Sequence, residues 1–191
     1  MSSSSGNSSL SLTLSLAGIK EAAASPLELE IIALFDELRN RLLRYLLSIG
    51  LPVADGEEIV QEAFLALFQH LQLGRSRENL RGWLFRVARN QGLKRLTANE
   101  RHRDAGDWSG TAADVLPDPS PDPEQQATSN QRSATLQAVL RALPPSDREC
   151  LRLRAEGLKY REIAEVLGIS LGSVSASLAR SLARLERAGA R

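Results

Sequence analysis

From Pro26 onward, apolar residues recur at helical spacing. Ile31, Phe35, Leu38, Leu42, Tyr45 and Ile49 lie four, three, four, three and four residues apart. That rhythm predicts one amphipathic helix, ended by Gly50 and Pro52. Ile59, Val60, Ala63, Phe64, Leu67 and Leu71 predict a second helix from Gly56 to about Leu71, capped by Asp55. A short polar loop, Gly74 to Glu78, leads to a third helix capped by Asn79. Its inward face runs through Trp83, Leu84, Val87 and Ala88 and continues over residues 91–96.

The pattern resumes at Leu136, Val139, Leu140 and Leu143, a helix that must stop at Pro144 and Pro145. Ser146 with Glu149 three residues on reads as a capping box for the next helix, with Cys150, Leu151 and Leu153 inward and Gly157 at its end. Ile163, Ala164 and Leu167 then mark a short helix from Tyr160. Gly168 supplies a sharp turn, Ile169 plugs the corner, and Ser170 caps a last helix whose buried stripe is Val174, Leu178, Leu182 and Leu185. Two helices around a glycine turn predict a helix-turn-helix, the second helix lying in the DNA major groove. A plain helical hairpin is the alternative.

Composition narrows the class. Aromatics make up 4% of the chain and β-branched runs are almost absent, so the expected fold is all-α. Residues 1–26 read as a disordered Ser-rich tail. Their first 19 residues carry no charged side chain, yet they lack a basic start, and Ser or Thr interrupts Leu10, Leu12, Leu14 and Leu16. Such alternation can add a strand to a partner, but the serine content favours disorder. The remaining division is a helical domain at 27–103, a flexible acidic linker at 104–131 and a helix-turn-helix domain at 132–191. The linker carries Asp104, Asp107, Asp114, Asp118, Asp122 and Glu124 with Pro117, Pro119, Pro121 and Pro123. Each domain has a modest core, and the two need not touch. No stretch reads as a membrane span. The single cysteine, Cys150, excludes an internal disulfide and suits a reducing, cytoplasmic setting.

Charge is uninformative in total, 24 Lys plus Arg against 23 Asp plus Glu, but not in distribution. From Arg81 to Arg103, the cations Arg81, Arg86, Arg89, Lys94, Arg95, Arg101 and Arg103 face one acid, Glu100. That is a phosphate-facing footprint. The helix before it carries Glu57, Glu58 and Glu62 with no cation, which suits the positive end of a helix dipole. Pairing between these adjacent helices is the competing explanation.

Asp55 to Phe68 (DGEEIVQEAFLALF) followed by Asn79 to Leu96 (NLRGWLFRVARNQGLKRL) resembles the second region of bacterial sigma-70 family factors. Leu140 to Val174 resembles their fourth region. Two regions and a short linker resemble the extracytoplasmic-function group. The resemblance implies a factor that binds RNA polymerase core and directs promoter-specific initiation. Asp55, Glu58, Gln61 and Glu62 match the positions that meet the polymerase clamp coiled coil, with Glu58 where Asp is usual. The helix-turn-helix domain would meet the polymerase flap. Arg81, Arg86, Arg89, Lys94 and Arg95 would hold phosphates of the melted downstream (−10) element, with Asn90 near captured bases and the 74–78 loop around a flipped one. Trp83 matches a family tryptophan and is expected in the core.

On the same resemblance, Tyr160, Arg161, Ser170, Gly172, Ser173, Ser175, Ser177 and Arg180 would face the upstream (−35) element. Here the chain departs from the family: two usually basic positions are Ser175 and Ser177. Weak upstream binding follows, or a preference unlike the group's usual one, and basic residues at both positions should strengthen binding. Members of the group often work under an anti-sigma protein. Two other readings stay open, a helix-turn-helix regulator and a degenerate sigma-like interaction protein. An enzyme is the least favoured, since His70, His102 and Cys150 lack catalytic or metal-binding spacing; no cofactor is expected.

Overall fold

In the computed structural model, the structure describes residues 25–104 and 137–189. Residues 1–24 of the expected tail and 105–131 of the expected linker lie outside them. Every regular element among the described residues is helical: α1 (Pro26–Ser48), α2 (Val53–Gln72), α3 (Leu80–Asp104), a helical stretch at 137–141, α4 (Pro145–Ala155), α5 (Tyr160–Leu167) and α6 (Leu171–Gly189). None is long and apolar enough to cross a membrane by itself.

The first three helices form one unit. Leu38, Leu42, Tyr45 and Leu46 of α1, Ile59, Ala63, Phe64 and Leu67 of α2, and Leu84, Phe85 and Ala88 of α3 are buried together; the sequence rhythm predicts all of them except Leu46 and Phe85. Phe35 meets Phe64 edge-on at 5.0 Å, and Tyr45 meets Phe85 at 5.7 Å. The second unit buries Leu143, Cys150, Leu153, Leu158, Ile163, Val166, Val174 and Leu178.

Helix starts differ from the reading of the sequence in two places, for one reason. Asp55 does not cap α2, and Ser146 does not cap α4. Each helix starts immediately after a proline, Pro52 or Pro144, whose fixed φ (−61° and −53°) already suits the residue before a helix. Asp55 and Asp147 therefore fall three residues after those prolines, inside the first turn, where the dipole favours a carboxylate. Elsewhere the caps are as expected or additional. Ser25 and Glu28 form a capping box on α1, and Asn79 and Ser170 cap α3 and α6 through hydrogen bonds to Gly82 N and Ser173 N, both 3.0 Å.

Candidate nucleic-acid interface

The acidic first turns of α2 do not stand free. Arg95 donates to Asp55 at 2.8 Å and to Glu58 at 3.0 Å, and Asn99 donates to Asp55 at 2.9 Å. Arg39 pairs with Glu57 at 3.7 Å. Pairing between the acidic and basic helices is thus real for these residues, and both Glu58 and Asp55 hold the Arg95 guanidinium above its ordinary pKa, the Glu58 hydrogen bond most of all. Gln61 and Glu62 remain exposed on the next turn, and Glu58 keeps half its surface open. Between α1 and α2 a shallow groove is lined by Phe35, Arg39, Leu43, Glu57, Val60 and Gln61.

The basic helix α3 divides into two faces. Arg81 pairs with Glu37, Arg89 with Glu149 at 3.1 Å, and Arg95 with the α2 acids. Arg86, Asn90 and Lys94 are exposed and pair with no acid among the described residues. They sit at i, i+4 and i+8, so they form one stripe with about 6 Å of rise per step. Six of the sequence-assigned residues are thereby sorted: three are tied to carboxylates, three face outward.

The 74–78 loop before α3 is fully exposed but internally held. His70 Nε2 meets the Ser76 carbonyl at 3.0 Å, Glu78 N donates to Ser76 Oγ at 3.1 Å, and Arg77 pairs with Glu30. It ends on Asn79, which adopts φ +51°. Asparagine tolerates that left-handed conformation because its side chain bonds locally. A Cβ at Gly82 would come within 2.8 Å of Asn79 Cγ, so the cap requires glycine there. Trp83 is half-buried on the core, its ring 4.8 Å from that of His70.

The helix-turn-helix is built as the glycine pattern predicts. Gly168 has φ +67°, and the chain bends by 107° between α5 and α6. Tyr160, Arg161, Ser170, Gly172, Ser173 and Ser175 are all exposed. Arg154 lies over the Tyr160 ring at 5.7 Å, and Ser170 and Ser173 share a hydroxyl contact at 2.8 Å within the cap. Ser177 is a correction. It is 3% exposed, and its hydroxyl donates to the buried Asp147. Arg180 donates to the same carboxylate at 2.8 and 3.2 Å while keeping 57% of its side chain open. The Arg180 hydrogen bond, with help from Ser177, holds Asp147 below the usual carboxylate range. Ser177 is thus a fixture of the domain's interior, and an arginine there has no room. Leu182, expected inward, is 48% exposed; Ser181 takes its place in the buried row.

Sigma-70 region 2 matches residues 34–102, and sigma-70 region 4 matches residues 133–185. RNA polymerase sigma factor NccH of Alcaligenes xylosoxydans xylosoxydans is 31% identical over 72% of this chain and 75% of its own length. The chain belongs to the sigma-70 family of RNA polymerase sigma factors, in its extracytoplasmic-function group. The ECF sigma factor SigE of Mycolicibacterium smegmatis is 33% identical over 69% of the chain. This sigma factor spans 50% of that relative's length and 36% of another's. Its fold is similar to that of the sigma factor RpoE of Bartonella quintana, with a TM-score of 0.58 over 82% of this chain and 94% of that one at 20% identity. Both matched regions fall on the two helical units, so the stripe on α3 and the outer face of α6 lie in regions 2 and 4 respectively.

Proposed function

We propose that this sigma factor binds RNA polymerase core and directs promoter-specific initiation from the cytoplasm. The observation that carries the reading is the presence of regions 2 and 4, in order, each with an exposed surface of the right chemistry. Glu58, Gln61 and Glu62, with the groove between α1 and α2, offer a polar, acid-rich rim around an apolar floor for the clamp coiled coil. Asp55 contributes by orienting Arg95. Region 4 is the part expected at the flap.

In the same reading, Arg86 and Lys94 hold phosphates of the melted downstream strand, and Asn90 between them reaches base edges. The exposed 74–78 loop borders a captured base. Upstream, α6 presents Gly172, Ser173 and Ser175, small and uncharged, while the guanidinium of Arg180 is shared with Asp147. Contacts there are short hydrogen bonds and close approach rather than arginine forks. An anti-sigma protein is the expected regulator. The RpoE of Bartonella quintana was solved with the anti-sigma factor NepR, which supports that expectation.

The test is transcription in vitro with purified core polymerase and fragmented genomic DNA, with and without the protein. Discrete new starts sharing an upstream motif are expected. Core binding without starts would instead mark a sigma-like protein that does not initiate, and absence of both would leave a DNA-binding regulator.

A further inference from the structure

The 74–78 loop is exposed along its whole length, yet its backbone is pinned almost residue by residue. Gly74, at φ +65°, donates to the Leu71 carbonyl at 3.0 Å, and Arg75 N donates to the His70 carbonyl at 3.3 Å. Those two bonds around a left-handed glycine end α2 in a Schellman turn. The turn brings the next carbonyl, that of Ser76, to 3.0 Å from Nε2 of the same His70. A carbonyl only accepts, so Nε2 carries the hydrogen. His70 therefore holds two consecutive residues of the loop, Arg75 through its own carbonyl and Ser76 through its ring.

The ring is itself held from the far end of the loop. It lies 4.8 Å from the Trp83 ring, tilted by 43°, and Trp83 is placed by the start of α3. There the Asn79 side chain accepts from Gly82 N. Its nitrogen donates to Glu165 of α5, a contact between two units that were expected not to need one. One imidazole thus joins the last turn of α2 to the first turn of α3 and closes the loop at its base. Of the loop's own side chains, Ser76 Oγ accepts from Glu78 N and Arg77 pairs with Glu30 of α1. The Arg75 guanidinium and the Glu78 carboxylate are exposed and pair with nothing among the described residues.

Extruding a base is costly, and a loop that had to order itself around the base would add its own entropy loss. A loop already set avoids that second cost and keeps its donors and acceptors in one place. We propose that His70 is a positioning residue for promoter recognition: by holding the Ser76 carbonyl it fixes the loop in the shape that presents Arg75 and Glu78 to the captured base. His70 acts through the loop rather than on the base. A guanidinium fork and a carboxylate both select by the hydrogen-bonding groups on a base edge. The proposal rests on the reading of this loop given above.

The experiment uses the full chain with RNA polymerase core and a promoter taken from the starts it directs. Each of the four bases is placed in turn at every position of the downstream element, and transcript yield is measured. Two variants separate ring from donor. His70→Phe keeps an aromatic ring against Trp83 and loses the donor. His70→Gln loses the ring but returns an amide N–H close to the position of Nε2. His70→Phe is expected to shrink the ratio between the best and worst base at one position by about five-fold, the worth of one neutral hydrogen bond. His70→Gln should restore most of that ratio. In the free protein, amide exchange across 74–79 should quicken by a similar factor in His70→Phe and stay slow in His70→Gln. Should His70→Phe fail to fold, judged by circular dichroism, the isosteric pair His70→Gln and His70→Glu decides, since a carboxylate cannot donate to the carbonyl.

A base preference that survives in His70→Phe overturns the proposal, and so does a loss of yield shared equally by all templates. Equal damage in His70→Gln, or unchanged amide exchange in His70→Phe, overturns it as well. The two readings fail separately. Starts whose base preference is indifferent to His70 would remove the positioning role and keep the sigma factor. Absence of starts with the wild-type chain would overturn the sigma reading and this one with it.

Discussion

Asp147 shows how much one residue decides in the C-terminal unit. It is buried, accepts from Ser177 and twice from Arg180, and so ties the start of α4 to the middle of α6. Its folded pKa lies below the unfolded value of about 3.9. The stabilisation it gives is therefore complete above that value and is lost as pH falls through the lower folded one. Asp147→Asn should lower stability at pH 7 by about 2 kcal/mol and flatten the acid limb, read by urea unfolding as a function of pH. Ser181 presents the opposite case: its hydroxyl is buried and has no partner among the described residues. Ser181→Ala should be neutral or stabilising by up to about 1 kcal/mol in the same assay, because an unpaired buried hydroxyl is removed at little loss of volume. Ser175 and Ser177 now separate. Ser175→Lys should tighten upstream-element binding and steepen its salt dependence, whereas Ser177→Arg should lower the melting temperature of the unit. The position of Ser177 was within reach of the sequence. It sits three residues after Val174 and one before Leu178, on the buried stripe, so its place on the helix points inward even where related factors carry a charge.

At the scale of elements, hydrophobic rhythm carried most of the fold. The inward faces of α1 and α2 and the glycine turn at Gly168 lie where the spacing puts them. Helix starts were less legible, because a preceding proline competes with any nearby capping side chain. Leu-Pro-Val-Ala-Asp at α2 and Leu-Pro-Pro-Ser-Asp at α4 are the same device: a proline before the helix, and an aspartate in the first turn paired to an arginine on another helix. The charge of α3 was legible as a sum but not as two faces. Sequence spacing aligns Arg86, Asn90 and Lys94, yet which arginines meet carboxylates depends on helices 37 to 60 residues away. Replacing both Arg86 and Lys94 with Ala should reduce the slope of log K against log salt for single-stranded DNA by about 1.4, since each phosphate contact contributes about 0.7. Replacing Arg81, already tied to Glu37, should leave that slope nearly unchanged.

The relation between the two units is the part that no local pattern in the chain announces. Glu149 reads as a capping-box residue from its distance to Ser146, and only the fold brings it to Tyr45 and Arg89 from 104 and 60 residues away. One carboxylate of α4 thus takes a phenol of α1 and a guanidinium of α3 together, so a single substitution at Glu149 would leave two donors of the other unit without their acceptor at once.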